Sequence, residues 1–295
     1  MTKSDISVII VTYNSSRCVQ ECLNSLQRQK GVNHEVIVVD NASSDDTVVE
    51  VRNNPCLLLE NEENIGFGKA CNIGVSRSTG RYIFLLNPDA QLTDKSDLET
   101  ICRHMEENQK WGLAGTKVLC PNGSLESPPA QEYPGQKHVQ RDFSKLPGDI
   151  AWVIGAAMII RREIYLQLDG FDPDYFLYSE ETDMCLRVRE LGHEIGWMED
   201  VVVRHISGDS EKHADPYNVA SRKLRGLLIF RDKHYSLKEC VFLAKRDRRR
   251  AFFRMLTNGS VALCKGGKST EWEKYRMYRG VWETSERYLA SACST

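Results

Sequence analysis

Oxygen-bearing side chains follow an apolar run near the middle of this sequence. Tyr82 to Leu86 predicts a strand buried on both faces, and Pro88 ends it because proline has no N–H to give to a ladder. Asn87 and Asp89 are therefore predicted at the carboxyl end of that strand, the edge at which open α/β sheets bind ligands. Both residues offer hard oxygen ligands for a divalent cation that could hold a diphosphate.

A second acidic group opens a predicted helix near residue 180. Glu180, Glu181 and Asp183 fall in its first turn, where the helix dipole favours acidic residues in any protein. Three acids within four residues exceed what capping needs. Crowded carboxylates also raise one another's pKa, which suits a general base.

Two further polar residues end predicted strands, and each could have either a structural role or a role in the site. Asp40 follows the run Val36 to Val39 and either caps the next helix or joins the site. His205 ends a strand predicted from Ile195 onwards and contributes chemistry only if it faces Asp89. A functional role for either residue requires a fold in which the ends of these strands lie at the same edge of the sheet.

Strand-like and helical segments alternate over the first 90 or so residues. This β-α-β-α-β-α-β order predicts an α/β fold with a doubly wound, mostly parallel sheet. A polar, proline-bearing stretch, 121–147, is predicted as a long loop or a hairpin insertion, and loops of this size are more often functional than idle. The pattern is helical from Asn218 onwards.

Composition and motifs exclude several classes. No run of about 18 uncharged residues predicts a membrane span, and no signal peptide is recognised. The ten cysteines form no Cys-x-x-Cys, which argues against a thiolate zinc site and favours reduced thiols in the cytosol. A P-loop is missing, and strand one lacks the glycine-rich turn of NAD-binding proteins.

Charge is unevenly distributed along the chain. Residues 222–295 hold 18 Lys and Arg against 7 Asp and Glu, while residues 1–221 hold 21 against 34. Within the basic tail, Lys245 to Leu256 combines cations with Phe252 and Phe253. This segment is either a helix with its apolar side packed on the protein or an interfacial helix on anionic lipid. Without a folded nucleic-acid-binding motif, no nucleic-acid partner is expected.

Five motifs, in order, resemble inverting glycosyltransferases of family 2, which have the GT-A fold. The resemblance covers roughly residues 6–235, and the Asn-Pro-Asp form together with Gly155-Ala-Ala-Met-Ile-Ile-Arg161 is most similar to the rhamnosyltransferase-like branch of bacterial surface polysaccharide synthesis. The motifs are Val8-Ile-Ile-Val-Thr-Tyr-Asn14, Val38-Val-Asp-Asn-Ala-Ser43, Asn64-Ile-Gly-Phe-Gly-Lys-Ala-Cys-Asn72, Leu85-Leu-Asn-Pro-Asp89 and Phe171-Asp-Pro-Asp-Tyr-Phe-Leu-Tyr-Ser-Glu-Glu-Thr-Asp183.

The resemblance implies a role for each matching residue. Asp89 would reach Mg²⁺ or Mn²⁺ on the sugar diphosphate, and His205 would join this metal site. Asn87 departs from the family pattern by replacing an Asp. Glu181 matches the Asp expected as the base but is one methylene longer, so Glu180 and Asp183 remain alternatives. The nucleotide pocket would be lined by Thr12, Tyr13, Asn14, Asp40, Asn64, Gly66, Asn72 and Asn87.

The predicted function is transfer of a sugar with inversion, with L-rhamnose from dTDP-L-rhamnose as the favoured donor. The acceptor would be a saccharide or a lipid-linked saccharide in cell-surface polysaccharide synthesis. Alternatives are a UDP-hexose donor, or a nucleotide-sugar- or carbohydrate-binding protein that has lost catalysis. We expect a GT-A domain over 1–235, with a nucleotide-sugar half (1–120) and an acceptor half (121–235), and a basic helical extension over 236–295. The expected location is the cytoplasm, with peripheral contact to the plasma membrane through the basic tail.

Overall fold

The computed structural model describes residues 4–205, 214–264 and 270–292. Two compact units divide the chain. One comprises Met1–Tyr133, Phe143–Phe176 and Glu180–Ser210, and the other comprises Pro134–Asp142, Leu177–Ser179 and Glu211–Thr295. The candidate active-site residues all belong to the first unit.

The described part of the first unit is built on one mixed sheet with strand order β3-β2-β1-β4-β7-β6-β8-β5. Its strands are β1 Ile6–Thr12, β2 His34–Asp40, β3 Leu57–Glu60, β4 Tyr82–Leu86, β5 Ala90–Leu92, β6 Trp111–Leu119, β7 Ala157–Arg161 and β8 Glu194–His205. The α-helices described in this unit are α1 Val19–Gln27, α2 Thr47–Arg52, α3 Phe67–Ser76, α4 Asp97–Glu107, α5 Arg162–Gln167 and α6 Glu180–Glu190.

The parallel half of the sheet matches the sequence prediction. β1 pairs in parallel with β2 and with β4, and Thr12 lies opposite Asp40 in this register. All five residues of β4 are buried. Because β1, β2 and β4 run in the same direction, Thr12, Asp40 and Asn87 lie at or beyond the same edge of the sheet.

Antiparallel strands complete the other half. β7 lies between β4 and β6 and is antiparallel to both, and β5 is antiparallel to β8. The apolar run 150–161 predicts one long strand, but β7 begins only at Ala157. Residues 150–156 form a loop before β7, and within this loop Trp152 makes an isolated β-bridge to Ala130.

Apolar side chains pack on both faces of the central part of the sheet, which is why β4 has no polar face. In β4, Tyr82, Phe84 and Leu86 join one core cluster, and Ile83 and Leu85 join the other. The first cluster includes side chains from α1 and α4, and the second includes side chains from α3, α5 and α6.

Three long helices make up most of the described part of the second unit: α7 Pro216–His234, α8 Leu237–Cys264 and α9 Thr270–Ala292. Leu224 and Leu228 of α7 pack with Ala244 of α8 and Leu289 of α9. Helix α7 thus packs in the same unit as α8 and α9. The sequence places a domain boundary after residue 235, and this boundary stays a prediction. No helix among the described residues combines the length and apolar character that spanning a membrane requires.

Candidate active site

Asp89, His205 and Glu126 form a row of hydrogen-bonded side chains, of which Asp89 and His205 are buried and Glu126 is half-buried. Asp89 Oδ1 lies 3.0 Å from His205 Nε2, and Glu126 Oε2 lies 2.6 Å from His205 Nδ1. The pairing of β5 with β8 places Ala90 opposite His205, which brings the neighbouring Asp89 to the imidazole. Asp89 and His205 are 7% and 6% exposed, so solvent screens these contacts only weakly.

The two carboxylates control the charge of His205. Burial by itself lowers the pKa of the imidazole, but the hydrogen bonds and negative charges of Asp89 and Glu126 outweigh it and raise the pKa to about 9. At neutral pH the ring is therefore protonated, with one N–H directed at each carboxylate. A cation bound at Nε2 would replace one of these protons.

Asn87 completes the polar end of β4. Its backbone N–H donates to the carbonyl oxygen of Ala156 at 2.9 Å, which fixes this residue to the loop before β7. Its side-chain Nδ2 lies 3.3 Å from His205 Nε2. Rotation of the amide would put Oδ1 there instead, since amide oxygen and nitrogen occupy equivalent positions.

Asp89 and His205 fit the predicted cation as a partial ligand set. Among the residues that the structure describes, no group of three or more His, Cys, Asp and Glu side chains is arranged to hold a metal ion. Glu126 contacts the opposite nitrogen of the imidazole, so it cannot share a cation with Asp89. Mg²⁺ is commonly held by one or two carboxylates plus substrate phosphates, and Asp89 with Nε2 of His205 suits that mode. The metal site itself remains a prediction.

The three acids of α6 lie in different surroundings. Asp183 is 1% exposed and accepts a hydrogen bond from Arg187 Nε at 2.7 Å in an ion pair. Glu180 is 4% exposed and its Oε2 has no hydrogen-bond partner. Burial and the nearby charge of Glu181 raise the pKa of Glu180 well above its ordinary value. Glu181 is partly exposed and is thus the acid of this group with the most access to solvent.

A two-residue stretch connects Glu181 with the end of β4. A Cβ atom placed on Gly155 would lie 3.4 Å from Cβ of Glu181, so the base candidate packs directly against this glycine. The next residue, Ala156, accepts the hydrogen bond from Asn87. Gly155-Ala156 therefore contacts both Glu181 and Asn87, the residue two positions before Asp89.

The predicted nucleotide residues after β1 and β2 are tied together. Thr12 Oγ1 donates to Asp40 Oδ1 at 2.7 Å, and Ser43 donates to both oxygens of the same carboxylate. Asn14, at φ 52°, accepts from the N–H of Ser44 through its side chain. The side chain of Asn14 does not cap α1, because the N-cap residue of that helix is Cys18, which makes no side-chain capping hydrogen bond. Tyr13 is 48% exposed beside this group.

The predicted nucleotide residues around α3 have structural partners. Asn64 Oδ1 accepts from the N–H of Gly66, whose φ of 92° and close approach to the carbonyl of Phe176 require glycine. The side chain of Asn72 donates to the carbonyl of Phe171 and accepts from its N–H and from Tyr165. Asn72 thus holds the turn after α5, and its predicted place in the nucleotide wall stays a prediction.

Sequence reasoning missed Glu126 and Ser43. Glu126 lies in the polar stretch 121–147 and is 79 residues from its partner His205, a separation for which local pattern gives no signal. Ser43 is part of the motif that ends β2, and its position three residues after Asp40 is typical of a side chain that bonds a preceding carboxylate.

Comparison with known proteins gives the same fold. The chain is 23% identical over 265 residues to the N-acetylglucosaminyl-diphospho-decaprenol L-rhamnosyltransferase of Mycobacterium tuberculosis, covering 78% of this chain and 85% of the relative. It is 26% identical over 218 residues to the low-salt glycan biosynthesis hexosyltransferase Agl10 of Haloferax volcanii, covering 68% and 67%. A mannosyltransferase of Pyrobaculum calidifontis, solved with GDP-Man and Mn²⁺, has a TM-score of 0.57 at 19% identity, covering 98% of this chain and 88% of that one.

The sequence profile described as "Glycosyl transferase family 2" matches residues 7–168, more than half of the chain. The matched range includes β1 to β4 and reaches Asp89 and Gly155. The mixed sheet with its flanking helices is the GT-A arrangement of the solved glycosyltransferases. The chain therefore belongs to glycosyl transferase family 2.

Proposed function

We propose that this protein transfers L-rhamnose from dTDP-L-rhamnose, with inversion, to a saccharide or lipid-linked saccharide in cell-surface polysaccharide synthesis. The observation that carries the proposal is that Asp89 contacts His205 just beyond the end of β4, while Gly155-Ala156 contacts both Glu181 and Asn87. A donor diphosphate and an attacking hydroxyl require two such groups, one for the leaving group and one for the proton. The named activity of the mycobacterial relative supports the sugar and the lipid-linked acceptor.

The proposed division of labour assigns binding to the edge formed by β1, β2 and β4. Thr12, Tyr13, Asn14 and Asp40 would line the nucleotide pocket, continued by Asn64, Gly66, Asn72 and Asn87. Asp89 and His205 would hold Mg²⁺ or Mn²⁺, and the bound cation would neutralise charge on the departing diphosphate. The bound Mn²⁺ in the solved mannosyltransferase supports this part of the proposal.

Glu181 is the proposed base, since Asp183 is paired with Arg187 and Glu180 is buried. Its carboxylate would accept the proton of the acceptor hydroxyl as that oxygen attacks the anomeric carbon. The attacking oxygen and the leaving diphosphate then lie on opposite faces of the sugar, so the configuration at that carbon inverts. Glu180 would help by staying protonated beside Glu181, because two adjacent charges in a buried site repel.

A donor panel tests this proposal. We expect dTDP-L-rhamnose with Mn²⁺ to raise the melting temperature of the protein more than UDP-glucose, UDP-N-acetylglucosamine or GDP-mannose does. A ligand at 100 times its dissociation constant adds about 2.7 kcal/mol to the free energy of unfolding, which is easily measured. If no nucleoside diphosphate sugar has an effect, the proposed donor site is wrong.

The same donor panel also distinguishes a UDP-hexose donor and a binding protein without catalysis from the proposed rhamnosyltransferase. A larger shift with a UDP-hexose would replace the donor while keeping the reaction, as the hexosyltransferase name of the archaeal relative allows. Binding without release of nucleoside diphosphate, in the presence of a panel of saccharide acceptors, would support a binding protein without catalysis. The proposed location is the cytoplasm, at the inner face of the plasma membrane, where a lipid-linked acceptor is accessible.

A further inference from the structure

Helix α8 carries an exposed stripe of apolar and basic side chains on one side. Its buried side packs within the second unit through Leu243, Ala244, Ala251 and Ala262. At 100° per residue, the stripe residues fall within an arc of about 100° on the opposite side. The members of this outer stripe are Phe242, Lys245, Arg249, Phe252, Phe253, Leu256 and Leu263.

The apolar members of the outer stripe leave a large part of their surface in solvent. Phe242, Phe252 and Phe253 are 52%, 40% and 60% exposed, and Leu263 is 77% exposed. Phe242, Phe252 and Phe253 also line a groove of about 570 Å³ against Trp282 of α9. Contiguous exposed apolar patches of this kind mark surfaces that bind a partner or a membrane.

Cations surround the same stripe. Helix α8 contains seven Lys and Arg but only two Asp and Glu. Asp247, one of these two acids, is paired with Arg231, and the other, Glu239, caps the helix start at Ser236. The basic residues Lys245, Arg249, Arg250 and Arg254 are exposed. The outer surface of α8 therefore combines aromatic and aliphatic side chains with a local excess of positive charge.

We infer that the outer stripe of α8 binds the surface of a membrane that contains anionic phospholipid. Such a surface offers an apolar layer for the phenylalanines and negative headgroups for the cations, which is what an interfacial helix uses. A second copy of the chain fits less well, because a two-fold contact through this stripe would bring the arginines of both copies together. The inference rests on the proposed function only in that a lipid-linked acceptor requires access to a membrane.

Vesicle sedimentation with the full chain tests the inference without any nucleotide sugar. We expect binding to phosphatidylcholine vesicles that contain about a third phosphatidylglycerol, much weaker binding to pure phosphatidylcholine, and a decrease with added salt. Equal binding to both kinds of vesicle, or to neither, would overturn the inference. A lack of vesicle binding would not change the result of the donor panel, and a negative donor panel would not change the result of the vesicle experiment.

Two variants locate the surface. Replacing both exposed rings (Phe252→Ser with Phe253→Ser) should weaken binding to the anionic vesicles at least about tenfold, since each ring is removed from an apolar contact. Lys245→Glu with Arg249→Glu should weaken it by a similar factor and remove the salt dependence. Leu166→Ser is the matched control, because Leu166 is 53% exposed on α5 in the other unit and should leave binding unchanged.

The variants also distinguish a membrane from a second copy of the chain as the partner of the outer stripe. Binding of the double serine variant at the wild-type level would overturn the assignment of the stripe. So would a wild-type dimer that dissociates in the double serine variant while neither protein binds vesicles. Circular dichroism and the melting temperature establish that both variants are folded, as expected for substitutions at exposed positions.

Discussion

Glu126 Oε2 lies 2.6 Å from Nδ1 of His205, on the side of the imidazole opposite to Asp89. This carboxylate fixes the ring orientation and keeps a proton on Nδ1, so that Nε2 is the nitrogen directed toward Asp89. Carboxylates that support a metal-binding histidine in this way typically contribute a factor of about 10 to 100 in metal affinity. Glu126 thus supports the proposed metal site from a loop rather than from the sheet.

We predict that Glu126→Gln weakens the binding of Mn²⁺ by about tenfold or more, because a neutral amide holds the imidazole less firmly. Calorimetric titration of Mn²⁺ in the presence of dTDP measures this effect without catalysis. Glu132→Gln serves as the control, since Glu132 lies exposed on the same stretch. Unchanged Mn²⁺ affinity in Glu126→Gln would show that Glu126 only stabilises the loop.

Asp89→Ala should remove the proposed anchor of the diphosphate. We expect the melting-temperature increase by dTDP-L-rhamnose with Mn²⁺ to disappear and turnover to fall by about a hundredfold or more. The fold should survive, because Asp89 lies beyond the end of β4 and His205 keeps its hydrogen bond to Glu126. Asp94→Ala, at an exposed carboxylate five residues later, should keep both properties. Retained Mn²⁺-dependent stabilisation in Asp89→Ala would contradict the assignment.

Glu181→Gln should separate binding from chemistry. The amide keeps the shape of the side chain beside Gly155 but cannot accept the proton, so turnover should fall by about 10² to 10⁴ while the affinity for the donor stays the same. Release of nucleoside diphosphate in single-turnover mixtures measures the first quantity, and calorimetry measures the second.

Asp183→Asn is the informative comparison for that experiment. Its carboxylate is paired with Arg187, which also donates to the carbonyls of Leu168 and Gly170, so we expect a loss of stability before a specific loss of turnover. If a folded Asp183→Asn were inactive and Glu181→Gln fully active, the roles of the two acids would have to be exchanged.

Glu180 predicts a pH dependence of stability. Its pKa in the folded protein is raised, by burial and then by the charge of Glu181, above the ordinary 4.5. The folded state therefore binds this proton more tightly than the unfolded chain does. The resulting stabilisation is complete below about pH 4.5 and is lost as the pH rises through the folded-state pKa. Glu180→Gln cannot titrate, so its melting temperature relative to wild type should be higher at about pH 8 than at about pH 4.5. A difference that is constant across this range would contradict the raised pKa.

The sequence predicts the parallel half of the fold well, for a physical reason. β1, β2 and β4 are short apolar runs that end in polar residues, a pattern that few structures other than buried parallel strands produce. Asp89 could be found because Pro88 ends its strand, and His205 because it ends another. Their contact needs the antiparallel pairing of β5 with β8, which no local pattern encodes.

The remaining parts of the site depend on contacts that are remote in sequence. Glu126 comes from a stretch without periodicity, and the insertion of β7 between β4 and β6 is a property of the whole sheet. Family resemblance favours Glu181 among the three acids of α6, but their different surroundings, the ion pair of Asp183 with Arg187 and the burial of Glu180, are visible only in the structure. The outer stripe of α8 is visible as a basic aromatic segment, but which side is exposed depends on how α7 and α9 pack.

The stretch Gly155-Ala156 has a consequence for redesign of this enzyme. Ala156 holds the end of β4 through Asn87, and Gly155 contacts Glu181, so one short loop sets the spacing between the proposed leaving-group site and the base. Libraries aimed at new donor sugars therefore have two separable targets. One target is the set of proposed nucleotide residues other than Asn87, which are not part of this loop. The other is position 155, where a side chain larger than alanine would meet Glu181 and is expected to move the proposed base for every donor.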